Sequence, residues 1–123
     1  DMRPASVSVK KLKKSKDDLS QIILTDNIDI IHSIAISSNR PSLVIGFAAE
    51  TELVLKHARQ KLTTKSLDAV IANCVADGEI FGQDETKATM VFSDSFKKLL
   101  PGTKSEVSQQ IFANLSPLLA KRI

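Results

Sequence analysis

The order of apolar and polar positions divides the chain into a polar start and an alternation of strands and helices. Residues 1–18 lack apolar periodicity and read as an extended segment. Leu19-Ser20-Gln21-Ile22-Ile23-Leu24 predicts a short strand. Asp26 or Asn27 is then placed to cap a helix with Ile30, Ile31, Ile34 and Ala35 on its apolar face. Arg40-Pro41 closes that unit. Ser42-Leu43-Val44-Ile45-Gly46-Phe47 is apolar without alternation, which suits a strand covered on both faces, as in a parallel sheet. Thr51 is expected to cap the next helix, which puts Val54, Leu55, Ala58 and Leu62 on one face. Leu67–Val75 holds a second buried strand, Ala69-Val70-Ile71-Ala72, broken at Asp77-Gly78. Thr86–Phe92 and Phe96–Leu100 read as two further short strands. Thr103-Lys104-Ser105-Glu106 has the spacing of a capping box and opens a helix with Val107, Ile111 and Leu115 inward. Pro117 is expected to end or kink it.

This alternation predicts an α/β class: a three-layer, Rossmann-like fragment with a mostly parallel sheet and a β-hairpin-like addition near the C-terminus. Right-handed crossovers in such a sheet place ligands at the carboxyl ends of the strands.

Composition changes this picture little. A chain of 123 residues, 42% hydrophobic and 25% charged, suits one soluble domain or part of one. Five Phe with no Trp or Tyr make the core mainly aliphatic. The net charge of +3 is too small to imply a nucleic-acid partner by itself. Its distribution is uneven: Arg3, Lys10, Lys11, Lys13, Lys14 and Lys16 stand against the single acid Asp1 in the first sixteen residues. Cys74 is the only cysteine, so no intrachain disulfide can form, which fits a reducing, cytoplasmic setting. Apolar runs fall well short of about 18 residues, so no membrane-spanning helix is expected. No secretory signal is read at the start. The chain opens on Asp1 and not on Met, and reads as a piece of a longer protein.

Three places carry candidate chemistry. Phe47-Ala48-Ala49-Glu50-Thr51 is expected as a strand-to-helix turn whose small side chains let an anion approach backbone N–H groups; the same residues serve tight packing equally well. Lys61 and Lys65, four apart, share a helix face and suit either a polyphosphate or plain solvent. Lys10-Lys11-Leu12-Lys13-Lys14 reads as a solvated arm, a nonspecific nucleic-acid contact, or a flap that closes over a triphosphate. With no aromatic residue among these lysines, a base-stacking platform is disfavoured. His32 and His57 are isolated and expected on helix surfaces, and Cys74 as a small core residue. No Cys/His/Asp cluster has metal-ligand spacing. Dinucleotide, P-loop and nucleophile-elbow motifs are missing from the sequence.

Five segments in order resemble one family, the bacterial phosphopantothenate–cysteine ligases. Gly46-Phe47-Ala48-Ala49-Glu50-Thr51 is similar to its G-F-A-A-E-T signature. Ala58-Arg59-Gln60-Lys61 with Lys65-Ser66-Leu67-Asp68 is similar to A-R-x-K…K-x-x-D, and Ile71-Ala72-Asn73 to the I-x-A-N strand end. Asp1-Met2-Arg3-Pro4 resembles the end of A-D-[YF]-R-P, with Met2 in place of the aromatic, and Lys11-Leu12-Lys13-Lys14 resembles the K-x-K-K flap.

The resemblance implies a two-step reaction. The carboxylate of 4′-phosphopantothenate attacks the α-phosphate of CTP, giving an acyl-cytidylate and pyrophosphate; the amine of L-cysteine then displaces CMP and forms the amide. It implies that Asp1 and Lys11 contact the nucleotide, with Lys11 on the flap in the catalytic role. It places further nucleotide contacts at Ile28, Asp29, Ile30 and Ile31 through backbone, at Phe47 beside the base, and at Lys61 and Lys65. Ala48 and Ala49 border the substrate. Mg2+ would bridge the phosphates without dedicated protein ligands. FMN belongs only to a decarboxylase half fused upstream in many bacteria. The implied domains are a basic flap over residues 1–18 and, over 19–123, the C-terminal part of the ligase domain, whose glycine-rich start and acyl-cytidylate asparagine are not in this sequence. A homodimer is implied, with 5–24 a candidate for crossing to the partner. The alternative is a basic α/β nucleic-acid-binding module acting through residues 3–16.

Overall fold

The computed structural model describes residues 1–15, 21–73 and 85–122 and the backbone of Cys74. The expected break at Asp77-Gly78 and the side chain of Cys74 lie outside the described residues. The chain divides into two compact units, Asp1–Ile30 and Ile31–Ile123.

In the first unit β1 (Met2–Pro4) pairs antiparallel with β2 (Leu24–Asp26), Arg3 opposite Thr25. Of the strand expected over residues 19–24, residues 19 and 20 lie outside the described residues, and the strand found begins at its last residue, Leu24. Its apolar run does not decide its place; Ile22 and Ile23 are 74% and 73% exposed. The partner does. The Arg3 guanidinium donates to the Asp26 carbonyl at 2.9 Å and to Asn27 Oδ1 at 3.1 Å, fixing the register at the strand's end. Helix α1 (Ile30–Ala35) follows. Asp26 lies in β2 and Asn27 is three residues before Ile30, so neither is the residue that enters α1. Ile31 and Ala35, one turn apart, face the core; Ile30 and Ile34 are exposed, which narrows the expected apolar face.

The second unit is built on a four-stranded sheet in the order β3 (Ile45–Glu50), β4 (Ala69–Cys74), β5 (Thr89–Val91), β6 (Phe96–Lys98). Parallel pairing is found at β3–β4, joined through α2 (Val54–Thr64), and the β5–β6 hairpin adds two antiparallel pairs. Alternation along the strands sends side chains to two cores. Ala48, Val70, Ala72 and Val91 pack with Ala58 and Leu62 of α2. Ile71 and Met90 pack with Val107 and Ile111 of α3 (Lys104–Ala120). The result is three layers, helix on sheet on helix.

Several boundaries differ from expectation. β3 starts three residues after Ser42, because the Val44 N–H is taken by the Asp68 carboxylate at 2.7 Å. It runs on through Ala48, Ala49 and Glu50, which pair with Ala72, Asn73 and Cys74. The expected turn at Phe47–Thr51 is therefore mostly strand. Nor is β3 covered on both faces: it is an edge strand among the described residues, and Phe47 is 76% exposed. Leu53, in left-handed backbone at φ 48°, is the residue before α2 and gives no side-chain cap, so the cap position lies two residues beyond the expected Thr51. The capping box forms as expected: the Glu106 N–H donates to Thr103 Oγ1 at 3.3 Å, and the Thr103 N–H to Glu106 Oε2 at 2.8 Å. Pro117 does not end α3, which runs to Ala120. The donor it removes would have served the carbonyl of Ala113, an exposed residue where water can take its place.

Candidate functional site

His57, Lys61 and Lys65 follow one another at intervals of four and form one stripe along α2. The helix ends at Thr64, and Lys65 caps it, its N–H donating to the Lys61 carbonyl at 3.0 Å. The stripe meets the last residue of β3, Glu50. Lys61 Nζ donates to Glu50 Oε1 at 2.6 Å, and His57 Nδ1 lies 3.2 Å from Oε2. The carboxylate is the most covered of the three side chains, 15% exposed against 34% for His57 and 41% for Lys61. The Lys61 hydrogen bond chiefly holds the Glu50 carboxyl below its ordinary value; partial burial opposes this, and the charges of Lys61 and His57 add to it. His57, expected on the solvent side of its helix, is instead half-buried against Glu50.

Alternation turns Phe47 to the opposite face of β3. There it lines a cavity of about 260 Å³ with Ile71, Asn73, Thr86, Lys104 and Ser108. An aromatic face beside amide, hydroxyl and ammonium groups suits a flat polar ring. Phe47 and Lys61 thus share an end of the sheet but not a face. The Ala48 side chain is in the core against α2, while Ala49 is exposed on the Phe47 side.

In the first unit the Asn27 N–H donates to the Asp1 carbonyl at 2.9 Å, extending the β1–β2 ladder. The ladder therefore brings Asp1 beside the segment leading into Ile28, Asp29 and Ile30, all exposed. Ile31 packs into the core of the second unit, leaving its backbone for any ligand. Lys11 is exposed and outside regular structure.

Two acids escaped the sequence reading. Glu50 is visible in the sequence only as part of a small-residue turn; the His57–Lys61 spacing, which an anion on that face would suit, is the one signal that points toward it. Asp68 figured only as the end of a motif. Its carboxylate accepts from Arg40 at 2.6 Å and from Arg122 at 2.6 Å as well as from Val44 N–H. Burial works against its charge, yet the Val44 N–H and the two guanidinium groups hold its pKa below the ordinary value.

Among the described residues, no group of three His, Cys, Asp or Glu side chains is placed to hold a metal ion. No described helix is long and apolar enough to cross a membrane.

Comparison with known proteins gives a consistent result. The chain is 38% identical over 122 residues to the coenzyme A biosynthesis bifunctional protein CoaBC of Vibrio vulnificus strain CMCP6, covering 97% of this chain and 30% of that protein. It is 34% identical over 120 residues to CoaBC of Bacillus subtilis strain 168, covering 96% and 29%. The chain thus spans about a third of these relatives at most. The crystal structure of the C-terminal domain of a coenzyme A biosynthesis bifunctional protein CoaBC superposes with a TM-score of 0.73 at 28% identity, over 98% of this chain and 50% of that one. The family described as DNA/pantothenate metabolism flavoprotein C-terminal domain matches residues 1–118. With a match running over nearly its whole length, the chain belongs to that family.

Proposed function

We propose that this chain is the nucleotide-handling, C-terminal part of a phosphopantothenate–cysteine ligase acting in coenzyme A biosynthesis within a longer polypeptide. The observation that carries this reading is the family match over residues 1–118, together with relatives named for coenzyme A biosynthesis. The local geometry supports it. Lys61 reaches Glu50 at the carboxyl end of β3, where ligands of parallel sheets bind, and Phe47 borders a cavity sized for part of a ligand.

In this reading CTP and 4′-phosphopantothenate react first, carboxylate on α-phosphate, with pyrophosphate leaving. L-cysteine then displaces CMP. Asp1 and the backbone of Ile28 to Ile31 contact the nucleotide. Lys11, Lys61 and Lys65 neutralise phosphate charge, Lys11 closing from the basic segment. Phe47 borders the nucleobase, and Ala48 and Ala49 lie by the substrate. Magnesium would bridge the phosphates and need not have dedicated protein ligands. The protein acts as a cytoplasmic homodimer, and the exposed Ile22 and Ile23 are apolar area suited to a partner.

The test is pyrophosphate release by the complete polypeptide supplied with CTP, 4′-phosphopantothenate and cysteine. Lys11→Gln is expected to lower turnover about 100-fold, as loss of a transition-state contact does. The 123 residues alone are expected to give no measurable turnover. No pyrophosphate from the complete protein would overturn the reading. Unchanged turnover in Lys11→Gln with a salt-sensitive loss of RNA or DNA binding would put the nucleic-acid module in its place.

A further inference from the structure

We propose that Glu50 is a positioning residue for the nucleotide: it holds Lys61 so that the ammonium presents its remaining donors to phosphate. This rests on the reading of Lys61 as a triphosphate contact.

A free lysine side chain loses rotamer entropy when it is fixed in one place. Glu50 ends β3, a strand paired over its whole length with β4, so its carboxylate is presented from a rigid element. Its two oxygens are divided between two residues one turn apart on α2. Oε1 accepts from Lys61 Nζ at 2.6 Å, and Oε2 lies 3.2 Å from His57 Nδ1. His57 thereby keeps the carboxylate from rotating, and the carboxylate keeps Lys61 from swinging into solvent. An ammonium has three donors. One is committed to Glu50, and Lys61 is 41% exposed, so the other two can reach an anion. The cost is that Glu50 offsets part of the charge that attracts phosphate. The close 2.6 Å contact and the covered carboxylate favour ordering over neutralisation: an ammonium so placed meets the ligand already oriented.

The experiment compares Glu50→Gln, Lys61→Met and the double variant in the complete polypeptide, measuring steady-state turnover against CTP, 4′-phosphopantothenate and cysteine separately. Glutamine keeps the shape and one acceptor but loses the charge. The expected result is a rise of about three- to tenfold in the KM for CTP in Glu50→Gln, with kcat and the other two KM values unchanged. The double variant should be no worse than Lys61→Met, since Glu50 acts through Lys61. A thermal melt checks folding; a purely structural role would lower kcat and Tm and disturb all three substrates. If Lys61→Met raises the KM for CTP while Glu50→Gln leaves it unchanged or lowers it, or if the two effects simply add, the positioning role is overturned and the nucleotide reading survives. If Lys61→Met leaves the KM for CTP unchanged, the nucleotide reading of Lys61 falls, and the positioning role with it.

Discussion

Gly46 shows how a signature residue can owe its identity to packing. Its place before Phe47 in the small-residue run suggests room for a ligand. The structure gives a nearer reason. A Cβ built on Gly46 would stand 2.6 Å from Leu67 Cδ1, with Val70 Cγ2 and Ile31 Cδ1 at 3.8 and 3.9 Å. Leu67 is itself buried, so its methyl cannot withdraw without disturbing α2 and β4. Gly46→Ala is therefore expected to lower stability by about 1–3 kcal/mol, the cost of an extra carbon in a filled core. Chemical denaturation of the two proteins checks this. Leu67→Ala in the same chain should remove much of the penalty, so that the two changes together cost less than their sum. A Gly46→Ala protein as stable as the parent would mean that the packing around Leu67 yields freely.

At the scale of elements, α2 ends in a Schellman motif that its sequence hides. The Leu67 N–H donates to the Leu62 carbonyl at 2.9 Å and the Ser66 N–H to the Thr63 carbonyl at 3.3 Å, with Leu62 and Leu67 both buried in the same core. The left-handed position that this demands, φ 55°, is occupied by Ser66 and not by the usual glycine. Ser66 is exposed, so Ser66→Gly removes strain without removing packing. It should raise stability by about 0.5–1 kcal/mol, read as a higher denaturant midpoint at unchanged slope. A lower midpoint would show that the extra freedom of glycine in the unfolded chain outweighs the relief. The same element shows what was legible in the sequence. The apolar stripe Val54, Leu55, Ala58, Leu62 and the capping box at Thr103 follow from local periodicity and spacing, and both are found. The start of β3 was not legible, because a carboxylate 24 residues further on takes the Val44 N–H. The place of β2 depends on β1 in the same way. Lys61 and Lys65 could be named from their spacing and their motif, but Glu50 could not be joined to Lys61 until β3 was known to run to its end.

For the second unit as a whole, Asp68 is the tie between distant parts of the chain. It joins Arg40 ahead of β3, the Val44 backbone at its entry, and Arg122 beyond α3. Arg122 also donates to the Ser42 carbonyl at 2.9 Å, so the end of the last helix is fastened to the start of the sheet. The Asp68 side chain is 8% exposed, and replacing it by asparagine would leave two guanidinium groups facing an amide. Asp68→Asn is expected to cost about 2–4 kcal/mol at pH 7, the range for breaking charge-assisted, largely buried bonds. The pH dependence follows from the direction of the shift. The folded carboxyl titrates below its ordinary value of 3.8, so its contribution is fully present above that value and is lost as pH falls through the lower, folded one. The parent protein should therefore lose stability steeply below about pH 4, while Asp68→Asn, lacking the group, should show a shallower decline there. The gap between the two proteins, measured by urea unfolding from pH 7 downward, should narrow in that range and stay constant above it. A gap that stays constant to pH 2 would mean that the cost of Asp68→Asn comes from shape alone and that the charge of Asp68 does not hold the two ends of the unit together.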